Sequence, residues 1–331
     1  MFRALLLHRT DDAIRPEVAT VDDARLPAGD VLIDVSYSSL NYKDGLAVTG
    51  RGKIVRGEFP FVPGIDLAGT VVEDASGAFA SGDEVVLTGW GTGEDRWGGF
   101  AERARAASQH LVRLPVGLSL EDSMIVGTAG FTAMLAVLAL QDHDVTPERG
   151  EVVVTGASGG AGSVAVALLA KLGYDVVAST GSDEAHDFLR ELGASRIIHR
   201  DELGGGPKRP MEQGRWAGAV DAVGGPTLSS LIAQTATHGA IASFGMAQSA
   251  TLETTVFPFI LRGVNLLGID SNTCPLPLRG RAWSRLAGLL RAEDLQRLHT
   301  ATIALHEVPE WSERIVTGNT LGRVVVNSSA D

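Results

Sequence analysis

The chain of 331 residues contains one cysteine, Cys274. An intrachain disulfide is therefore impossible, and so is a zinc site built on several cysteines. Cys274 itself reads as a small core or loop residue. Basic charge is also in deficit: 28 Lys and Arg face 40 Asp and Glu, a formal net charge of -12. General nucleic-acid binding needs a basic face and is excluded as an expectation. An anionic ligand must be held by local charge or by backbone N–H groups. Long hydrophobic runs are missing too. The apolar run within Met1–Arg9 is too short for a signal-peptide core. The stretch from Met124 to Leu140 contains internal glycines and suits a buried connecting helix better than a membrane span. The expectation is a cytoplasmic protein without a membrane partner. Repeats and low-complexity tracts are also lacking.

What is present is an ordinary globular balance, 44% hydrophobic and 21% charged, in a chain long enough for two domains. The segment Glu151–Gly173 organises it. Val152 to Val154 form a β-branched apolar run, as a fully buried parallel strand would. The run breaks into Gly156, Gly159, Gly160 and Gly162, and an apolar helical segment follows from Ser163 until Gly173 ends it. The spacing Ala157-x-Gly159-x-x-Gly162 is a variant dinucleotide fingerprint in the strand–turn–helix context that such a motif needs. Ser158, Gly159, Gly160, Ala161 and Gly162 are the candidate pyrophosphate contacts, through free N–H groups at a helix N-terminus. A purely structural glycine turn is the alternative.

Residues up to about 120 read as mostly β, with strands at Ala4–Leu7, Val31–Val35, Leu67–Glu73 and Glu84–Thr88. The alternation stops near Asn41-Tyr42-Lys43-Asp44, and a loop follows that carries Arg51, Lys53 and Arg56. From Glu151 onward strands alternate with helices: Glu151–Thr155, Asp175–Ser179, Arg196–His199, Gly218–Val223, Ala240–Gly245 and Val264–Ile269. This implies a parallel, doubly wound sheet. Ligands of such sheets bind at the carboxyl ends of the strands, which makes Val223, Phe244, Gly245, Ile269 and Ser271 candidates. The tail reads as one helix, Leu278–Leu290, and a terminal strand, Leu321–Val326. The second strand of the sheet runs on into Thr180-Gly181-Ser182 with no carboxylate before Asp183. NAD enzymes place an acid here for the ribose 2′-hydroxyl. Ser179, Thr180 and Ser182 leave room for a 2′-phosphate and can donate to it, which favours NADP(H). Ser182 also suits a helix N-cap, with Asp183 and Glu184 behind it.

A β-rich region, a nucleotide-binding segment and a return to the first region is an order that resembles the medium-chain dehydrogenase/reductase superfamily. Its zinc enzymes need Cys and His ligands. Here Asn41-Tyr42-Lys43-Asp44 stands at the first ligand's place, and Pro63-Gly-Ile-Asp-Leu-Ala-Gly69 replaces the segment that carries the ligand His. That resembles the zinc-free quinone-oxidoreductase-like branch, with no metal. Short-chain reductases fit poorly, because none of Tyr37, Tyr42 or Tyr174 has a lysine four residues on. Ser39–Asp44, Pro63–Asp66, Leu87–Trp90, Trp97–Gly99, Gly127–Ala133, Val154–Gly160, Pro258–Arg262 and Gly268–Ser271 are together similar to the acryloyl-CoA reductase group. Ser182 and Arg96 depart from it, where relatives often carry Arg and His.

The resemblance implies an α/β chain: a GroES-like β-rich catalytic domain over 1–124, a Rossmann-type doubly wound NADP-binding domain over 125–271, and a return over 272–331. It implies NADPH-dependent reduction of acryloyl-CoA to propanoyl-CoA, with Thr128 beside the nicotinamide. Asn41, Tyr42, Asp44 and Arg323 are the candidate catalytic residues. Each has a structural alternative: turn former, core filler, helix cap and ion-pair partner respectively. Arg51, Lys53 and Arg56 are the candidate site for the CoA phosphates, against the alternative of a solvated loop. The resemblance also implies a homodimer through the strand at Val264–Ile269. The rival readings are a quinone or enone reductase with the same fold, and a non-catalytic NADPH-binding protein of the lens-crystallin kind.

Overall fold

The computed structural model describes residues 1–11 and 13–330. By its internal contacts the chain divides into two units: Met1–Thr128 with Ser271–Gly288 and His299–Asp331, and Ala129–Asp270 with Leu289–Leu298.

In the first unit, alternation builds the sheet. Val31, Ile33 and Val35 point to one face and are at most 4% exposed, while Asp34 between them is exposed. They pack with Leu67, Val71, Val85 and Leu87 in one core. The sheet has seven strands, ordered His299–Ala304, Arg323–Asn327, Val31–Leu40, Asp66–Asp74, Glu84–Thr88 and Val112–Arg113, with Arg103–Ala106 also paired to Val31–Leu40. The register of the near-terminal strand matters most. Val324 lies opposite Leu40 in an antiparallel pair, which brings Arg323 beside Asn41. A hairpin, Phe2–Thr10 with Ala13–Val21, stands apart from this sheet. Its second strand was not expected. It carries Arg15, Pro16 and Glu17 and is mostly exposed, so no apolar alternation marks it.

In the second unit, Val152, Val153 and Val154 are wholly buried, as a strand covered on both faces must be. Six strands pair in parallel in the order Arg196–His199, Val176–Thr180, Val152–Thr155, Trp216–Asp221, Thr235–Ser243, Asn265–Gly268. This is the doubly wound dinucleotide-binding order, and its direction reverses between Val152–Thr155 and Trp216–Asp221.

The apolar stretch forms the helix Leu120–Asp142. Within its most apolar window 89% of the residues are buried inside the protein. Gly127 breaks its dihedrals at φ 49°, ψ -160°, a conformation open essentially to glycine alone. The tail differs from expectation. It holds three helices, Leu276–Leu289, Ala292–Leu298 and Val308–Val316, and the strand His299–Ala304. Segment 289–298 also packs with the second unit, so the return expected for 272–331 is interrupted. Lys171 explains part of this, since its ammonium pairs with Asp294 at 2.8 Å.

Candidate active site

In the first unit the helix Tyr42–Val48 begins where the strand Val31–Leu40 ends. Asp44, in the first turn of this helix, accepts the Asn41 N–H at 2.9 Å through Oδ2 and the Ile65 N–H at 2.9 Å through Oδ1. The Asn41 amide donates to Asp66 Oδ2 at 2.9 Å and to Asp44 Oδ2 at 3.1 Å, and its oxygen accepts from Arg323 Nη1 at 3.2 Å. Asp66 also accepts from the Ser39 hydroxyl and from the Thr128 N–H and hydroxyl. Arg323 donates through Nε to Ile125 O at 2.9 Å, while its Nη2 is buried without a hydrogen-bond partner. Gly127 sits against the same cluster: an added Cβ would lie 2.7 Å from Asp66 Oδ2 and 2.9 Å from Arg323 Nη2.

The cluster thus joins the two segments that the resemblance sets at the zinc ligands' places. Asn41, Asp44, Asp66 and Arg323 are all under 9% exposed. Two carboxylates face one guanidinium, so the fully ionised set is short of one positive charge. Burial and the charge of Asp66 push the Asp44 carboxyl up to about 7, against the N–H donors of Asn41 and Ile65. Burial likewise draws Arg323 below its ordinary value, opposed by both carboxylates. Uptake of one proton neutralises the set, as expected of coupled buried groups.

This geometry redirects part of the catalytic expectation. The Asn41 amide is committed inward on both its atoms, so it has no hydrogen left to aim at a thioester oxygen. Asp44 acts as a helix cap and Arg323 as a buried cation of the same knot. Thr128 is held by Asp66. Tyr42 is different: it follows the knot directly and is 50% exposed, so it is not core filler. Among the described residues no group of three His, Cys, Asp or Glu side chains comes together as a metal site.

The basic loop is partly neutralised. Arg51 pairs with Glu313 at 2.6 Å, and Arg56 pairs with Glu94 at 2.9 Å and with Asp95 at 3.4 Å. Lys53 is exposed and has no ion pair among the described residues. Sequence reading missed Arg279. It is 1% exposed, donates to Thr88 O at 2.8 Å and to Ser271 O at 3.1 Å, and lies 5.2 Å from the Trp90 ring centroid. It steadies a turn in which Gly89, Trp90 and Gly91 all have positive φ, a strained state for tryptophan. No pattern around Arg279 signals this.

In the second unit the glycine turn closes on itself. A Cβ at Gly162 would fall 2.2 Å from Gly156 O, so helix Gly160–Lys171 starts hard against the strand end. No side chain caps this helix, which leaves its first N–H groups for an anion. That cradle fits a dinucleotide pyrophosphate. Ser158, Thr180, Val223, Phe244, Gly245 and Ile269 all follow or end parallel strands at the same edge of the sheet. Ser158 Oγ lies 3.2 Å from Thr180 Oγ1. Ser179 and Thr180 are buried at 2% and 4%, whereas Ser182 is half-buried and makes no capping hydrogen bond. Ser271 falls in the other unit. Asp221 was also missed. Wholly buried, it accepts from Thr155 Oγ1 at 2.7 Å, Ser243 Oγ at 3.1 Å and the Val223 and Gly224 N–H groups, and so ties three strand ends together. Its signal was a lone carboxylate in an otherwise apolar strand.

These features define a two-part dehydrogenase, and comparison with known proteins agrees. Residues 27–116 match the model of the alcohol dehydrogenase GroES-like domain, and residues 160–287 that of the zinc-binding dehydrogenase. The chain is 47% identical to acrylyl-CoA reductase AcuI of Ruegeria pomeroyi over the full length of both. It is 50% identical to the yhdH oxidoreductase of Salmonella enterica, solved in complex with NADP, with TM-score 0.96 over 98% of this chain and 99% of that one. It is 44% identical to Bacillus subtilis yhfP, solved with NAD bound, with TM-score 0.95 over 98% and 99%. The chain belongs to the medium-chain dehydrogenase/reductase superfamily, in the quinone-oxidoreductase-like branch that includes the acrylyl-CoA reductases.

The knot makes a pH prediction. A carboxyl raised from 3.8 to about 7 contributes stability that is fully present below pH 3.8 and is lost as pH rises through about 7. Asp44→Asn removes that titration. Between pH 5 and 8, the melting temperature of the wild type should fall relative to that of Asp44→Asn. Parallel curves would mean that Asp44 does not titrate there.

Proposed function

We propose that the protein is an NADPH-dependent reductase of acryloyl-CoA, forming propanoyl-CoA. The observation that carries this is full-length identity to an acrylyl-CoA reductase, joined to a dinucleotide cradle and a first unit whose zinc-ligand segments are held by hydrogen bonds instead. When bound, the dinucleotide supplies a hydride for the β-carbon of the enoyl thioester. The alkene is already activated by the thioester, so this chain's task is to orient, to exclude water and to place a proton.

In the second unit, the N–H groups at Gly160, Ala161 and Gly162 hold the pyrophosphate, and Ser158, Thr180 and Ser182 serve the adenosine end. In the first unit, the knot of Asn41, Asp44, Asp66 and Arg323 fixes the start of helix Tyr42–Val48 and so the placement of Tyr42, whose phenol is the proposed donor of a hydrogen bond or a proton. Lys53, with Arg51 and Arg56, is the proposed landing site for the CoA phosphates. The Arg51–Glu313 pair is exposed on both sides and worth about 0–1 kcal/mol, so Arg51 can exchange its acid for a phosphate, whereas Arg56 is held by the buried Glu94. The cytoplasm is the proposed location of this reaction.

The test is kcat/KM for acryloyl-CoA, crotonyl-CoA and a simple quinone with NADPH and NADH. Acryloyl-CoA with NADPH should lead the others by at least about tenfold. A quinone that wins would leave the fold and the family and overturn the substrate.

The chain is also proposed to act as a homodimer. Strand Asn265–Gly268 is the open edge of its sheet, and the neighbouring Val256, Phe257, Ile260 and Leu261 are 47–68% exposed. Light scattering should give twice the chain mass. A monomer at micromolar concentration would retire this proposal.

A further inference from the structure

Trp90 occupies a costly position in the first unit. Its φ of 59° is left-handed, a region that tryptophan rarely adopts. Its indole N–H is buried and finds no hydrogen-bond partner among the described residues. A ring placed for packing alone would avoid both penalties. Such costs persist only where the surrounding structure over-determines them, and they collect at functional sites.

The surroundings here do so. The Trp90 N–H donates to Asn272 O at 3.0 Å and the Gly91 N–H to Asn272 Oδ1 at 3.1 Å, which pins the turn. A Cβ at Gly89 would lie 2.5 Å from Asn272 O, so the backbone is already as close as it can come. Two groups fix the ring itself. His110 stacks on it with centroids 4.8 Å apart and planes 9° from parallel, and Arg279 lies over it at 5.2 Å. His110 is positioned in turn, since Arg96 Nη1 donates to its Nδ1 at 3.1 Å. Burial, then the charges of Arg96 and Arg279, draw His110 below the ordinary histidine value, so the stacked imidazole is neutral. Trp90 rests partly on the core of the sheet and stays partly exposed.

Its place in the sheet gives this ring a use. Strand Glu84–Thr88 ends just before Trp90, and Thr88 pairs with Asp66 of the knot. On the other side of the Asp66 strand, Val31–Leu40 ends just before Tyr42. Neighbouring strands lie about 4.8 Å apart, so the Tyr42 and Trp90 segments leave this end of the sheet about 10 Å from each other. An immovable aromatic ring at that distance from the proposed proton donor limits what can stand between them.

We infer that Trp90 is a specificity-determining residue of the acyl site, closing it beyond the β-carbon so that acryloyl-CoA is taken ahead of enoyl thioesters with longer chains. This rests on the acryloyl-CoA reading above. His110, Arg96 and Arg279 are positioning residues that keep the ring from yielding. One carbon more or less in an apolar site changes kcat/KM by about 10–200-fold, and a wall that gives way forfeits that discrimination.

The test is kcat/KM with NADPH for acryloyl-CoA, crotonyl-CoA and a simple quinone in wild type, Trp90→Gly, Trp90→Asn and His110→Leu, with melting curves to verify folding. Glycine and asparagine both tolerate the positive φ, so each removes the ring without adding strain. Either should raise the ratio of crotonyl-CoA to acryloyl-CoA by at least about tenfold, and His110→Leu should raise it by about threefold. A purely structural role would lower kcat/KM for both thioesters alike and leave the ratio as it is. Folded Trp90 variants whose ratio stays within about twofold of wild type overturn the inference, as does a wild type that takes crotonyl-CoA as readily as acryloyl-CoA. Should neither Trp90 variant fold, the ratio in His110→Leu decides in the same way. A wild type that reduces the quinone and neither thioester overturns the substrate reading, and this inference with it.

Discussion

The first unit depends on one buried electrostatic arrangement: two carboxylates, Asp44 and Asp66, shared through Asn41 with the guanidinium of Arg323. Groups from residues 41–66 and from residue 323 meet because the near-terminal strand pairs beside the strand that leads into Asn41. Burying such a set is costly, and removing one partner of a buried ion pair typically costs about 3–5 kcal/mol. Much of the local structure follows from meeting that cost. Thr128, Ser39 and the Ile65 N–H all turn toward the carboxylates. Gly127 adopts dihedrals that let the helix Leu120–Asp142 pass the cluster, where any side chain would collide with Asp66 and Arg323.

This arrangement suits a reaction that needs little from its catalyst beyond placement. The two segments that carry zinc ligands elsewhere in the superfamily are joined here by hydrogen bonds among Asn41, Asp44 and Asp66. An enoyl thioester already polarises its own double bond. The knot therefore works as a foundation, and Tyr42, next to it and half exposed, is the side chain it delivers outward. The second unit works similarly. Asp221 gathers the N–H groups and hydroxyls of three strand ends, and the surface this leaves is made largely of small residues and backbone around an uncapped helix start.

The sequence made the parallel sheet legible because each buried strand is a short β-branched run and each helix is punctuated by glycine, as at Val152–Val154 and Gly173. The dinucleotide turn was legible for the same reason. The hairpin strand Ala13–Val21 was not, because its exposed faces carry no period. The later helices of the tail, Ala292–Leu298 and Val308–Val316, were harder to see because they are only seven and nine residues long. The residue types of the site were legible, but their direction was not. Nothing along the chain says that the Asn41 amide faces Asp66 instead of a substrate, since that depends on a register set 282 residues later. Arg279 was invisible for a related reason: it acts across a fold contact, on Thr88.

The most direct measurement is a double-mutant cycle between Asp66→Asn and Arg323→Met, read as unfolding free energies at pH 7. If the two side chains belong to one knot coupled through Asn41, the losses should be non-additive by at least about 1.5 kcal/mol. Losses that add within about 0.5 kcal/mol would mean that the two residues act independently, and the first unit would then rest on some other interaction.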